Sequence, residues 1–262
     1  MALKIVTWNV NSLRTRLAHV LQWIQTYRPD ILLLQETKVS EHLFPYQPFE
    51  DLGYNLLVVG EKSYNGVAIA SRFPIEDPTL VLPGYASDSH ARYVEAVTGQ
   101  IRVASIYVPN GQEVGSEKFV YKLEFLSHLK NHLQQIFNYE EPVFLGGDYN
   151  IAPVDRDIYD PKKYANQILA SPAERHAFRT LLYLGYLDVL NVVAHEQGTP
   201  AESLYTWWDY RQGSWEQNHG LRIDHFLASP QGADRVKDCY VDTAPRGWPK
   251  PSDHAPLVCE VE

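Results

Sequence analysis

The sequence predicts an α/β fold of the α+β kind, two mixed β-sheets packed face to face with helices outside. Three observations point there. Short runs rich in Val, Ile and Leu alternate with stretches of helical period. Several of those runs come as close pairs, which a uniformly parallel, doubly wound sheet would not contain. The chain's 262 residues, 45% hydrophobic and 12% aromatic, are enough for a sizeable core and show no signature of disorder.

The elements follow in order. LKIVTWNV (3–10) reads as a strand. Residues 12–28 place Leu13, Leu17, Val20, Leu21, Ile24 and Tyr27 on one helical stripe, opened by Ser12 and ended by Pro29. DILLLQET (30–37) is a second buried strand. YNLLVVG (54–60) and NGVAIAS (65–71) form a strand pair, and YVEAVTG (93–99) with IRVASIYV (101–108) a hairpin turning near Gly99-Gln100. Residues 116–137 carry Phe119, Leu123, Leu126, Leu129, Leu133 and Ile136, a long amphipathic helix. VFLGGDYN (143–150) is the next strand. Residues 152–171 lack periodicity and read as a functional surface loop. Pro172 to Leu184 is helical, with Pro172 in the first turn and Gly185 as its cap. Further strands are expected at 204–208, 222–228, 237–242 and 256–261. No repeat, low-complexity tract or linker divides the chain, so residues 1–262 read as one domain.

Composition narrows the function classes. A net charge of −9 argues against gripping nucleic acid with a generally basic surface, though a local basic cleft fits. Cys239 and Cys259 are too few for a disulfide framework and lack metal-ligand spacing. They read as reduced thiols, and their common place near the C-terminus leaves a single bridge open. MALKIVTWNV does not look like a signal peptide, and no apolar run approaches the ~18–20 residues that span a bilayer. The expectation is a cytoplasmic protein without membrane contact.

Chemistry concentrates at strand ends, where a rigid frame holds polar groups in fixed geometry. VFLGGDYN is the most informative stretch. If its strand persists, Asp148 and Asn150 point to one side, a carboxylate that accepts a proton beside a neutral donor. An Asx turn after the strand is the competing reading. Asn9 and Asn11 follow LKIVTW, Gln35-Glu36 end DILLL, Tyr107 and Asn110 end RVASIYV, Asp224 lies in LRIDHFL, and Asp253-His254 precede the last strand. Capping alone does not account for so many.

TWNVNSLR, LLLQETK, YNGVAIASR, YVPNG, GGDYN, LRIDHFLAS and PSDHAP, in that order, resemble the exonuclease III branch of the endonuclease/exonuclease/phosphatase superfamily over residues 4 to about 260. The resemblance implies a four-layer α/β sandwich and a monomeric, Mg²⁺- or Mn²⁺-dependent DNA repair nuclease. Its substrates would be double-stranded DNA with abasic sites, nicks, or recessed or blocked 3′ ends. It implies Glu36 as main metal ligand, supported by Asn9 and Asp253, with a second position near Asp148, Asn150 and His254 in a two-ion reading. Asp148 would activate water, and Asn150 would hold it and donate to the phosphate. His254 would bind a phosphate oxygen as imidazolium, oriented by Asp224. Tyr107 would act as hydroxyl donor or phenolate. For DNA contact it implies Asn11, Lys38, Arg92, Asn110 and Trp207, with Leu221 and Ile223 as further walls of a pocket for a flipped-out sugar. Core packing is the other reading of Trp207 and Trp208, of which one must face inward.

Two other classes compete. A phosphoesterase acting on inositol or lipid phosphates would use the same residue types, but the chain has no amphipathic membrane segment. A non-catalytic DNA-binding module sits poorly with the acidic charge and the intact polar positions.

Overall fold

The structure, a computed structural model, describes residues 2–262. Along the chain it comprises β1 (Leu3–Asn9), α1 (Leu13–Tyr27), β2 (Ile31–Gln35), α2 (Tyr46–Glu50), β3 (Asn55–Val59), β4 (Val67–Ser71), β5 (Glu76–Thr79), β6 (Tyr93–Thr98), β7 (Ile101–Tyr107), α3 (Glu117–Ile136), β8 (Val143–Asp148), α4 (Pro161–Tyr164), α5 (Pro172–Leu182), β9 (Leu187–Asp188), α6 (Val189–Gln197), β10 (Asp224–Ala228), α7 (Pro230–Ala233), β11 (Val236–Val241) and β12 (Leu257–Val261). They form two six-stranded sheets, ordered β11-β12-β1-β2-β4-β3 and β5-β6-β7-β8-β10-β9. Each has one parallel pair at its centre, β1 with β2 and β7 with β8, flanked by antiparallel neighbours.

Strand alternation sorts the side chains into layers. Ile5, Ile31, Leu33 and Ile69 of one sheet meet Val94, Val103, Phe144 and Phe226 of the other. Val6, Trp8, Leu32 and Leu34 turn outward onto Val20, Trp23 and Ile24 of α1. Ala104, Ile106 and Leu145 turn the opposite way onto Phe125, Leu129, Phe178 and Leu181 of α3 and α5. The result is the expected helix–sheet–sheet–helix sandwich.

The face between the sheets is apolar at one end and polar at the other. Thr7 and Asn9 succeed Ile5, Gln35 succeeds Leu33, Ser105 and Tyr107 succeed Val103, and Asp148 succeeds Phe144. Buried Gln35 donates to Thr7 Oγ1 and to Ser105 Oγ, each at 2.9 Å, and so ties the sheets together just beneath the polar end. Gly146 leaves no room for a side chain, since a Cβ there would stand 2.5 Å from Phe226 Cε1 and 2.7 Å from Leu33 Cδ1 of the facing sheet.

Several expectations are corrected. Residues 204–208 are not a strand; Trp207 makes only isolated bridges to Leu221 and His254, as part of a strap crossing the sandwich end. The elements not foreseen are short, apart from α6, whose Val189-Leu190-Asn191-Val192-Val193 carries β-branched residues in a helix. Residues 152–171 are no simple surface loop. Ala152, Ile158, Leu169 and Ala170 bury with Leu221 and Ile223, and Asp157 receives both Arg222 Nε at 2.7 Å and Arg222 Nη2 at 3.1 Å. Cys239 and Cys259 are buried, unbridged and directly opposite each other on β11 and β12. No helix among the described residues is long and apolar enough to cross a membrane.

Candidate active site

The C-terminal ends of β1, β2, β7 and β8 and the start of β10 converge at the polar end of the sandwich. The amide of Asn9 donates to Glu36 Oε1 at 2.8 Å and to Asp148 Oδ2 at 2.9 Å, holding carboxylates from the two sheets together. Asp148 lies opposite Asp224 across the β8–β10 pair. The His254 imidazole fits between them, with Nδ1 2.8 Å from Asp224 Oδ2 and Nε2 3.7 Å from Asp148 Oδ2. These groups are almost fully buried, at 1% exposure for Asp148 and Asp224 and 4% for His254.

Burial decides the electrostatics. It pushes the Asp148 carboxyl up from 3.8; His254 pulls it back, the charges of Asp224 and Glu36 raise it again, and it settles at about 7. Burial alone would lower the His254 imidazole, but Asp224 and then Asp148 outweigh it and raise it to about 10. That direction favours the imidazolium at neutral pH. Burial, then Glu36 and Asp148, push the Tyr107 phenol well above its ordinary value of 10, so it stands as a hydroxyl and not the phenolate of the alternative reading.

GGDYN takes the Asx-turn reading, and the strand does not persist to Asn150. β8 ends at Asp148, and Asn150 leaves it with φ +51°, in the left-handed region. The Asn150 N–H donates to Asp148 Oδ1 at 2.8 Å, an Asx turn. The same turn brings Asn150 Nδ2 to Asp148 Oδ2 at 3.2 Å, so the turn itself builds the pair. Asn11 (φ +42°), Glu36 (φ +50°) and Lys38 (φ +52°), just beyond β1 and β2, share the left-handed conformation.

The structure narrows the ligand set. Glu36, Asp148 and His254 each offer a ligand atom, all within 4.8 Å of one another. Two carboxylates steered together by one amide suit a hard, oxygen-seeking divalent cation. His254 offers its Nε2 to this group, its Nδ1 being taken up by Asp224. Asp253 is outside the group; its oxygens accept from Asn11 Nδ2 at 2.9 Å and Trp207 Nε1 at 3.0 Å. The Asn9 oxygen accepts the Asn11 N–H at 3.0 Å, while its amide nitrogen aligns the two carboxylates. Asn150 likewise has its oxygen on Asn110 Nδ2 and its nitrogen on Val108 O and Asp148, which leaves it no donor for a phosphate.

Of the expected DNA contacts, Lys38 spans Glu36 Oε2 at 2.7 Å and Asn11 Oδ1 at 2.5 Å. The Arg92 guanidinium lies over the Tyr107 ring, 4.7 Å from its centre, and lines a cleft of about 430 Å³ with Asn110, Lys118 and Tyr121. Trp208 is the tryptophan that faces inward; Trp207 is half-buried beside a second cleft of about 480 Å³ that Lys163, Tyr164 and Arg211 help to line. Leu221 and Ile223 are corrected as pocket walls. At 0% and 2% exposure they form the floor under Trp207, because the strap pairs backbone to backbone there.

Sequence reasoning passed over Thr206, whose hydroxyl accepts from the Ile223 and Asp224 amides and so sets the start of β10. It also passed over buried Lys122, although a lysine on the apolar stripe of α3, between Phe119 and Leu126, was a visible signal.

A family model described as the endonuclease/exonuclease/phosphatase family matches residues 6–254. The chain is 32% identical to exodeoxyribonuclease III of Haemophilus influenzae, over 98% of this chain and 99% of that one. Among solved structures it resembles the 3′–5′ exonuclease NExo of Neisseria meningitidis, with 40% identity, a TM-score of 0.95, and 99% and 100% of the two chains covered. An AP endonuclease of Archaeoglobus fulgidus gives 40% identity and a TM-score of 0.93, over 98% of both chains. Site geometry, sandwich topology and full-length similarity agree: the chain belongs to the endonuclease/exonuclease/phosphatase family.

Proposed function

We propose that this chain is a divalent-metal-dependent DNA repair nuclease that hydrolyses phosphodiesters at 3′ ends and abasic sites of duplex DNA. The observation that carries the reading is the buried Asp148–His254–Asp224 row set against Glu36. A proton acceptor, an imidazolium and a carboxylate pair around one point support hydrolysis of a phosphate ester. The similar solved proteins are titled a 3′–5′ exonuclease, a 3′ phosphatase bound to product DNA hairpin, and an AP endonuclease. This supports DNA as substrate.

Asp148, raised to about 7, takes the proton from the attacking water as the new P–O bond forms and the ester oxygen departs. His254 turns its Nε2–H toward a non-bridging phosphate oxygen, and Asp224 keeps it charged. The Tyr107 hydroxyl, kept protonated, donates to the same phosphate. Glu36 would hold the ion, for which Mg²⁺ or Mn²⁺ suits the oxygen donors. That ion, when bound, supplies positive charge against the developing phosphorane. Trp207 and Arg92 mark the two clefts where DNA flanks the site.

One gel tests the reading. Duplexes with an abasic site, a recessed 3′ end or a 3′-phosphate, and an inositol phosphate control, are each incubated with Mg²⁺ and with EDTA. The expected result is metal-dependent turnover of the DNA substrates. Turnover of the inositol phosphate alone, or undiminished turnover in EDTA, contradicts it.

A further inference from the structure

Behind the catalytic turn lies an ion pair with no part in the chemistry above. Lys122 of α3 and Glu174 of α5 are both fully buried, with Nζ 2.5 Å from Oε1. Lys122 spends its other two protons on main-chain carbonyls, Asn150 O at 2.6 Å and Asn110 O at 3.1 Å. Those two residues touch each other through Asn110 Nδ2 and Asn150 Oδ1, and Asn150 touches Asp148. Glu174 accepts from Ser171 N and Oγ, which helix capping explains, but also from Leu169 N at 3.0 Å, which it does not. Leu169 is held at φ +74° where the segment 152–171 returns to the core.

A pair needed only for stability would serve as well or better as two packed apolar side chains. What an apolar pair cannot do is hold two carbonyls that leave their strands at the site. From this geometry we infer that Lys122 is a positioning residue: it clamps the backbone of Asn110 and Asn150 so that the Asn150 side chain meets Asp148. Glu174 joins that clamp to the segment 152–171. The inference rests on the nuclease reading above.

The test compares Lys122→Met, Glu174→Gln and the double variant on a recessed 3′ end with Mg²⁺, wild type serving as the control for the nuclease reading itself. Without wild-type turnover it is that reading that fails. With it, Lys122→Met is expected to lose roughly tenfold to a hundredfold in kcat at unchanged KM, the cost of a slightly misplaced base. Glu174→Gln, which leaves the carbonyl clamp intact, stays within about threefold of wild type in kcat. The double variant regains melting temperature over Lys122→Met, because no buried carboxylate is left unpaired, yet keeps the kcat loss. A double variant that recovers wild-type kcat overturns the inference, as does Glu174→Gln losing as much kcat as Lys122→Met. Should Lys122→Met not fold, Lys122→Gln, which keeps a polar head but has fewer protons than the three bonds need, takes its place; the same kcat loss is expected, and wild-type kcat in it overturns the inference.

Discussion

Replacing Asp148 by Asn should disable the enzyme and stabilise the protein. The carboxyl is raised from 3.8 to about 7, chiefly by burial. A group whose folded value lies above its unfolded value favours folding only when protonated. Stability therefore falls as pH climbs from about 4 to about 7, and the deficit persists above that. A shift of ~3 units corresponds to roughly 4 kcal/mol against the ionised folded form. Asn is neutral and removes that deficit. It also sets an amide N–H₂ or a single oxygen against three donors, Asn9 Nδ2, Asn150 Nδ2 and the Asn150 N–H, which costs on the order of 1–3 kcal/mol. Asn also withdraws the second charge that holds His254 protonated, so the net expectation at mildly alkaline pH is a small gain, on the order of 1 kcal/mol or a few degrees in melting temperature. The proton acceptor is gone, so single-turnover cleavage of a recessed 3′ end should drop by about a hundredfold to ten-thousandfold, while DNA binding persists. Calorimetry in EDTA against pH reads the first effect and a quenched-flow gel the second. Cleavage within tenfold of wild type would remove Asp148 as the base, and a melting temperature several degrees lower would refute burial as the dominant influence on it.

Other outcomes follow from the same geometry. Asp224→Asn withdraws the largest influence holding His254 at about 10 against its burial, so the ring's titration, followed by NMR, should move down by more than a unit. Activity at neutral pH should fall with it, and the stability the imidazolium contributes, present in full below about pH 6.5 and lost as pH rises toward 10 in wild type, should shrink. Gly146→Ala puts a methyl against Phe226 and Leu33, and should cost roughly 1–3 kcal/mol in chemical denaturation while lowering kcat, because β8 carries Asp148. Trp207→Phe keeps an aromatic face but leaves Asp253 without its donor at 3.0 Å; Trp207→Ala loses both, so weaker DNA affinity in the second alone assigns the tryptophan to stacking.

Much of this molecule was legible from local pattern. The period of Ile5 to Asn9 and of Ile31 to Gln35 announced strands, and the polar ending of each announced a site at that end of the sandwich. Glu36, Asp148, Asp224 and His254 lie close together, because each sits on or near a strand end and the sheets bring those ends to one place. The finer division of labour was not legible. Whether Asn9 offers its oxygen or its amide depends on Asn11, and whether Asp253 faces an ion or a tryptophan depends on the strap of residues 204–208, which lies far from both in sequence. The strap looked like a strand because its alternation is real; it pairs in single bridges because it crosses the sandwich end.

By itself, then, the sequence determined the layers, the strand order's raw material and which polar groups gather at the strand ends, since period, turn residues and strand-end polarity are local properties. Tertiary structure alone decided the protonation of Asp148 and His254, the burial of Leu221 and Ile223, and the clamp of Lys122 on the two asparagine carbonyls. These depend on desolvation and on contacts between segments distant in the chain, and neither exists until the two sheets have closed.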